Sequence, residues 1–318
     1  MEIEALHARR DERRRRIRRR RLAAGLIAAA LAAVIAIVVV ASGSGKGSHA
    51  VVAAARSRTT AGRHAGARTS APASTRTGPP GTRAIPILMY HVIAAPPAGA
   101  PFPGLYVEPA EFAEQMQALA SAGWHAVTLD QVEEYWRRGV PLGAGKPIVI
   151  SFDNGYNSQY TQALPVLRRL GWVGDENIQL TGLPPSQGGL GSGQIRGLLA
   201  AGWELDTQGI SHADLITLDA EALHQQVAVA RQRIQRRYHV PVNWFCYPSG
   251  HYDATVVAAA KAAGFTGSTT VVPGWAHPGD DPYRLHRLRV LGGTTGRGLL
   301  ELVEGAREDP PAPASYSA

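Results

Sequence analysis

From Ile85 onward the chain alternates short apolar runs with amphipathic stretches, and this alternation constrains the fold more than any other feature. The runs at 85–91, 125–129, 147–152, 203–207, 243–248, 265–269 and 285–291 read as strands. Helices are expected between and after them at 109–122, 129–138, 158–170, 192–201, 219–238, 253–263 and 295–307. Gly123, Gly171, Gly202 and Gly264 stand where helices should stop, as a left-handed C-terminal residue requires. Strand and helix in repeated succession argue for a parallel sheet, and about seven such units suffice to curl it into a barrel. No sequence repeat accompanies them, which excludes a solenoid. In such barrels the C-terminal ends of strands carry the chemistry.

The 318 residues fit one barrel domain preceded by other elements. Residues 1–21 carry ten Arg against four acids, and 42–83 carry seven Lys or Arg and no acid. The rest of the chain is therefore −5 against +8 overall. The basic character belongs to the N-terminal segments and gives no reason to expect nucleic acid on the folded part. Between them, 22–41, from Leu22 to Ala41, is twenty residues without a charge, about 30 Å of helix and enough to span a bilayer. It reads as an uncleaved transmembrane anchor, with a cleaved signal peptide as the rival; Ala41, Ser42 and Gly43 supply the small residues that cleavage would need. The flanking Arg cluster places 1–21 in the cytoplasm and everything after Ala41 outside.

Residues 42–84, rich in Ser, Thr, Ala, Gly, Arg and Pro, are expected to be a disordered linker. The domain then runs from 85 to 307, with a disordered tail at 308–318. Cys246 is the sole cysteine, so no intrachain disulfide is possible and the core alone must stabilise the domain.

Two polar clusters stand at predicted strand ends. Asp153 and Asn154 precede Gly155, and taken alone this sequence suits an ordinary turn. Asp206, Gln208 and His212 end the strand that begins at Trp203; on one helical turn Gln208 and His212 would face the same side. A helix-entry loop capped by Ser211 or Asp206 is the alternative.

Ordered motifs join these clusters. Ser151-Phe152-Asp153-Asn154-Gly155-Tyr156 resembles Thr/Ser-Phe-Asp-Asp-Gly-Tyr, and Thr207-Gln208-Gly209-Ile210-Ser211-His212 stands where Ser-His-Thr-x-x-His is usual. Met89-Tyr90-His91, Trp203-Glu204-Leu205, Phe245-Cys246-Tyr247-Pro248-Ser249-Gly250 and Tyr283-Arg284-Leu285-His286-Arg287-Leu288-Arg289-Val290 complete the pattern. It resembles that of the polysaccharide deacetylase (NodB-homology) family over about 85–303.

The resemblance implies a distorted (β/α) barrel and metal-dependent hydrolysis of N-acetyl groups on envelope or extracellular glycans such as peptidoglycan. Carried over by position, Asp153 is the base, and Asn154, Gln208 and His212 are the positions of a zinc-like divalent ion. Tyr247, Pro248, Ser249, Gly250 and His91 lie beside the substrate. Asn154 and Gln208 replace an acid and an imidazole by neutral amides, so the ion is expected to be weak or absent. Asp206, with Asp153, His212 and His91, is the one alternative ligand set. His251 is a candidate cleft residue, and His286 receives no role. Two functions follow: a membrane-anchored deacetylase with an atypical metal site, or a non-catalytic glycan-binding or scaffolding module on the same fold.

Overall fold

In the computed structural model, residues 78–183, 188–307 and 311–317 are described. The Arg-rich tail, the apolar run 22–41 and the linker up to residue 77 lie outside them. Among the described residues no helix is long and apolar enough to cross a membrane.

Eight strands form one sheet: β1 Ile87–Tyr90, β2 Trp124–Ala126, β3 Lys146–Asn154, β4 Asp175–Ile178, β5 Glu204–Thr207, β6 Trp244–Cys246, β7 Gly267–Thr269 and β8 Leu288–Arg289. Seven follow the order β7-β6-β5-β4-β3-β1-β8, and β2 pairs with the start of β3; all these pairings are parallel. The stretch 285–287 bonds to β7 through Leu285 N to Ser268 O (3.0 Å) and to the segment after it through Arg287 N to Val272 O (3.0 Å). Since β8 pairs with β1, the same stretch draws the two edges together into a distorted barrel.

Eight α-helical elements connect the strands: α1 Pro109–Ser121, α2 Leu129–Arg138, α3 Leu164–Leu170, α4 Ser192–Ala200, α5 Ala220–His224, α6 Ala230–Tyr238, α7 Ala254–Ala262 and α8 Gly296–Gly305. Single π-turns at Gln159–Ala163 and Gln225–Val229 lead into α3 and α6. Local chemistry sets the ends. Thr128 caps α2 by accepting from Gln131 N while Gln131 reaches back to Thr128 N, and Gly139 at φ 63° closes it. Gly123, Gly171, Gly202 and Gly264 all sit at positive φ, as the helix stops required.

Side chains alternate along the strands. Leu88, Tyr90, Ile150 and Phe152 pack outward against helices, with Phe152 stacked on Trp203 at 5.0 Å. Ile87 and Val149 face the barrel interior with Val127, Trp244 and Leu285.

Three expectations are corrected. Strand β4 falls where no strand was expected. Residues 78–84, assigned to the linker, dock on α2 through Gly78 N to Arg138 O (2.8 Å), Gly81 N to Tyr135 O (2.9 Å) and Trp136 Nε1 to Arg83 O (2.9 Å). Residues 311–317, assigned to a disordered tail, pair in antiparallel fashion with Tyr252 through two 2.9 Å backbone bonds to Tyr316.

Candidate functional site

Asp153 lies at the C-terminal end of β3 on the interior face and is 1 % exposed. Its partner is Arg287, from the closing strand: Nη1 donates to Oδ1 at 2.7 Å and Nη2 to Oδ2 at 2.9 Å. Asn177 Nδ2 donates to Oδ1 at 3.1 Å, and the Cys246 thiol to Oδ2 at 3.4 Å. A carboxylate offers about four lone-pair positions, and here four donors meet them. Burial alone would push the Asp153 pKa up; the Arg287 guanidinium overrides it and holds the carboxyl below its ordinary value. Burial pushes the Cys246 thiol up to about 12, so it stays protonated. Asp153 is thus held toward its carboxylate form with its acceptor positions filled.

Arg287 is the functional-site residue that motif reading passed over. Its signal was alternation: counting by twos from the apolar Leu285 puts Arg287 on the inward face, where a buried charge needs a partner.

The next residue, Asn154, turns the chain at φ 77°, a left-handed conformation that Asn tolerates, followed by Gly155 at φ 87°. Its backbone N–H donates to Gln208 Oε1 at 3.1 Å, and its Nδ2 donates to Gln179 Oε1 at 2.9 Å. Gln179 Nε2 in turn donates to Thr181 O at 2.8 Å. The two exchanged positions are therefore joined in one amide network.

Residues 208–214 form a loop, not the helical turn that the spacing suggested, with Gly209 at φ 87° and His212 at φ 53°. Gln226 pins that loop, accepting from Ile210 N (2.9 Å) and Ser211 N (3.0 Å). His212 is half-buried, and burial lowers its pKa. His91, at the end of β1, is lowered to about 4 by burial and is neutral at pH 7; Asp153, Arg287 and His212 all lie within its electrostatic reach. His251 pairs with Asp214 on the same rim, Nδ1 to Oδ1 at 3.1 Å.

The other expected residues divide. Tyr247 is fully buried on the outer face, stacked on Tyr252 at 4.9 Å with its hydroxyl on Tyr283 O at 2.9 Å, so its ring is core and not a substrate contact. Pro248 and Gly250 are buried, and Ser249 is exposed at φ 56°. Asp206 does not join His212. It is fully buried, and its Oδ1 accepts from Asn243 N (3.1 Å) and Trp244 N (2.8 Å).

The divalent-ion positions can be tested on these contacts. Gln208 has committed its carbonyl oxygen to a backbone amide, Asn154 has committed its amide nitrogen to Gln179, and Asp153 has no free acceptor position. Only His212 keeps a donor of the kind such ions prefer. Among the described residues no three His, Cys, Asp or Glu side chains form a group that could hold an ion. The donor set does not fit a tight zinc-like site.

The polysaccharide deacetylase family model matches residues 143–268. Bacillus subtilis (strain 168) YxkH, whose name places it with the polysaccharide deacetylases, is 26% identical over 224 residues, 70% of this chain and 77% of that one. Streptococcus pyogenes deacetylase PplD in complex with acetate superposes with a TM-score of 0.64 at 23% identity, covering 72% of this chain and 100% of that one. BC0361, a polysaccharide deacetylase from Bacillus cereus, superposes at 0.61 with 23% identity, covering 70% and 69%; these two likenesses are of fold. With the ordered strand-end motifs, these matches identify residues 143–268 as a polysaccharide deacetylase domain.

Proposed function

We propose that this domain recognises the N-acetyl groups of envelope or extracellular glycan as a binding module, without the metal-assisted hydrolysis of its family. The family acts on N-acetylated polysaccharides and generally uses a divalent metal ion. The amide network carries the reading. Asn154 spends Nδ2 on Gln179 and Gln208 spends Oε1 on the Asn154 N–H. Asn154 Oδ1 and Gln208 Nε2 are left without a partner among the described residues, and neither is sealed from solvent. One is an acceptor and the other a donor, the complement of the N–H and C=O of an acetamido group. The filled acceptor positions of Asp153 support the same reading, since a general base needs one open for the proton it takes. The uncharged run 22–41 would hold the module at the outer face of the membrane, with 1–21 in the cytoplasm.

Acetate release from N-acetylchitooligosaccharides and peptidoglycan, with zinc or cobalt added, tests this on residues 78–318 and on Asn154→Asp/Gln208→His. Binding calorimetry in chelator provides the second readout. The expected outcome is metal-independent binding without turnover in the wild type, and acetate release only in the double variant. Metal-dependent release by the wild type, abolished by Asp153→Ala, would instead establish a deacetylase with an altered site.

A further inference from the structure

Beside the amide network lies a cavity of about 270 Å³ lined by Gly155, Gln179, Ile195, Arg237 and Tyr238, among others. It adjoins the site directly, because Gly155 follows Asn154 in the chain and Gln179 is the residue that accepts from Asn154 Nδ2. Its outer wall is cationic. Arg237, from the last turn of α6, donates to Ser192 Oγ, and its guanidinium and that of Arg196 each stand 5.8 Å from the Tyr238 ring.

These cations have no acidic partners among the described residues. On α2 and α8, by contrast, exposed arginines sit beside acids: Arg137 with Glu133, Arg138 with Glu134 and Arg297 with Glu301. Among the described residues no carboxylate lies within ion-pair distance of Arg196, Arg233, Arg236 or Arg237. An unpaired guanidinium at the wall of a cavity is a ready partner for a carboxylate, which it can meet with two parallel N–H groups.

We propose that this cavity is a subsite for a carboxylate-bearing sugar adjoining the N-acetylated unit, with Arg237 as the residue that reads the negative charge. The inference rests on the glycan-binding reading above and adds the substrate class: an N-acetylated glycan with anionic substituents. Two sources share that chemistry, the lactyl ether of a wall glycan and the uronate of an extracellular polysaccharide.

The test titrates the full-length chain in detergent with three tetrasaccharides of equal length: neutral N-acetylchitotetraose, an N-acetylglucosamine–N-acetylmuramate tetrasaccharide, and an N-acetylglucosamine–glucuronate tetrasaccharide. At low salt at least one carboxylated ligand should bind about three- to tenfold tighter than the neutral one, the scale of a partly exposed charge-assisted pair. High salt should erase the preference. Arg237→Gln should erase it too, and Arg237→Lys should restore part of it. Which carboxylated ligand is preferred identifies the source. Equal binding of neutral and charged ligands by the wild type, or a preference that survives Arg237→Gln, overturns the subsite alone. Failure of all three to bind overturns the glycan-binding reading with it.

Discussion

Two groups of buried carboxyls share the inside of this barrel and are neutralised by opposite means. Asp153 is met by the fork of Arg287 and is held ionised. Asp175 and Asp206, toward β4 and β5, are fully buried, and with Glu204 they have no cation at ion-pair distance among the described residues. Each instead anchors one oxygen to backbone amides: Asp175 Oδ2 to Leu129 N (2.9 Å), Glu204 Oε2 to Asp130 N (2.9 Å), Asp206 Oδ1 to Trp244 N (2.8 Å). Their other oxygens have no donor. Burial is the first cause that raises all three pKa values, and neighbouring acids add to it at each. A proton on Glu204 or Asp206 supplies the bond between that pair. The ionised carboxylate is met by an arginine; the carboxyls that anchor strand and helix ends are pushed toward their protonated form by burial.

Breaking the charged half should have the largest effect. Arg287→Met leaves Asp153 buried and unpaired, and should cost about 3–5 kcal/mol in urea unfolding. Asp153→Asn in the same background should recover much of that loss, which a double-mutant cycle would measure.

For Asp175, Glu204 and Asp206 the folded pKa is above the unfolded one, so their contribution is full below about pH 4 and declines as pH rises toward the folded value. The loss is about 1.4 kcal/mol per pH unit for each group that titrates. Asp153 runs the other way, present above about pH 4 and lost as pH falls through its lowered folded pKa. Melts across mildly acidic to alkaline pH should show stability falling on the alkaline side, with a shallower slope in Asp175→Asn. An unchanged slope in that variant would remove Asp175 from the proton-kept group.

Deleting 311–318 removes the two Tyr252–Tyr316 backbone bonds and the bond from the Tyr252 hydroxyl to Pro313 O (2.7 Å). It should cost about 3 kcal/mol at roughly 1 kcal/mol per bond, with faster amide exchange at Tyr252. Cys246→Ser should be smallest, under about 1 kcal/mol, since a hydroxyl still donates to Asp153 and accepts from Arg287.

The same contrast explains what the sequence made legible. Strands with apolar faces, helices with glycine stops and the loops after β3 and β5 could be read because their local chemistry agrees with their structure. Strand β4 could not. Asp-Glu-Asn at 175–177 reads as a loop, yet all three residues are at most 1 % exposed, with tertiary partners deciding what propensity would refuse. Tyr247 was misplaced for a simpler reason: counting by twos from inward Trp244 already turns it outward. The Asp153 centre was half visible, its acid carried by a motif and its arginine supplied from a strand 134 residues later.

The bridge between Tyr252 and Tyr316 ties the end of the chain to the residue that follows His251. A tether on the C-terminus therefore loads the rim that carries the His251–Asp214 pair, whereas one placed before residue 78 loads the docking on α2. Surface immobilisation from the two ends should thus give two different proteins to measure, and the N-terminal attachment is the one that leaves the rim at rest.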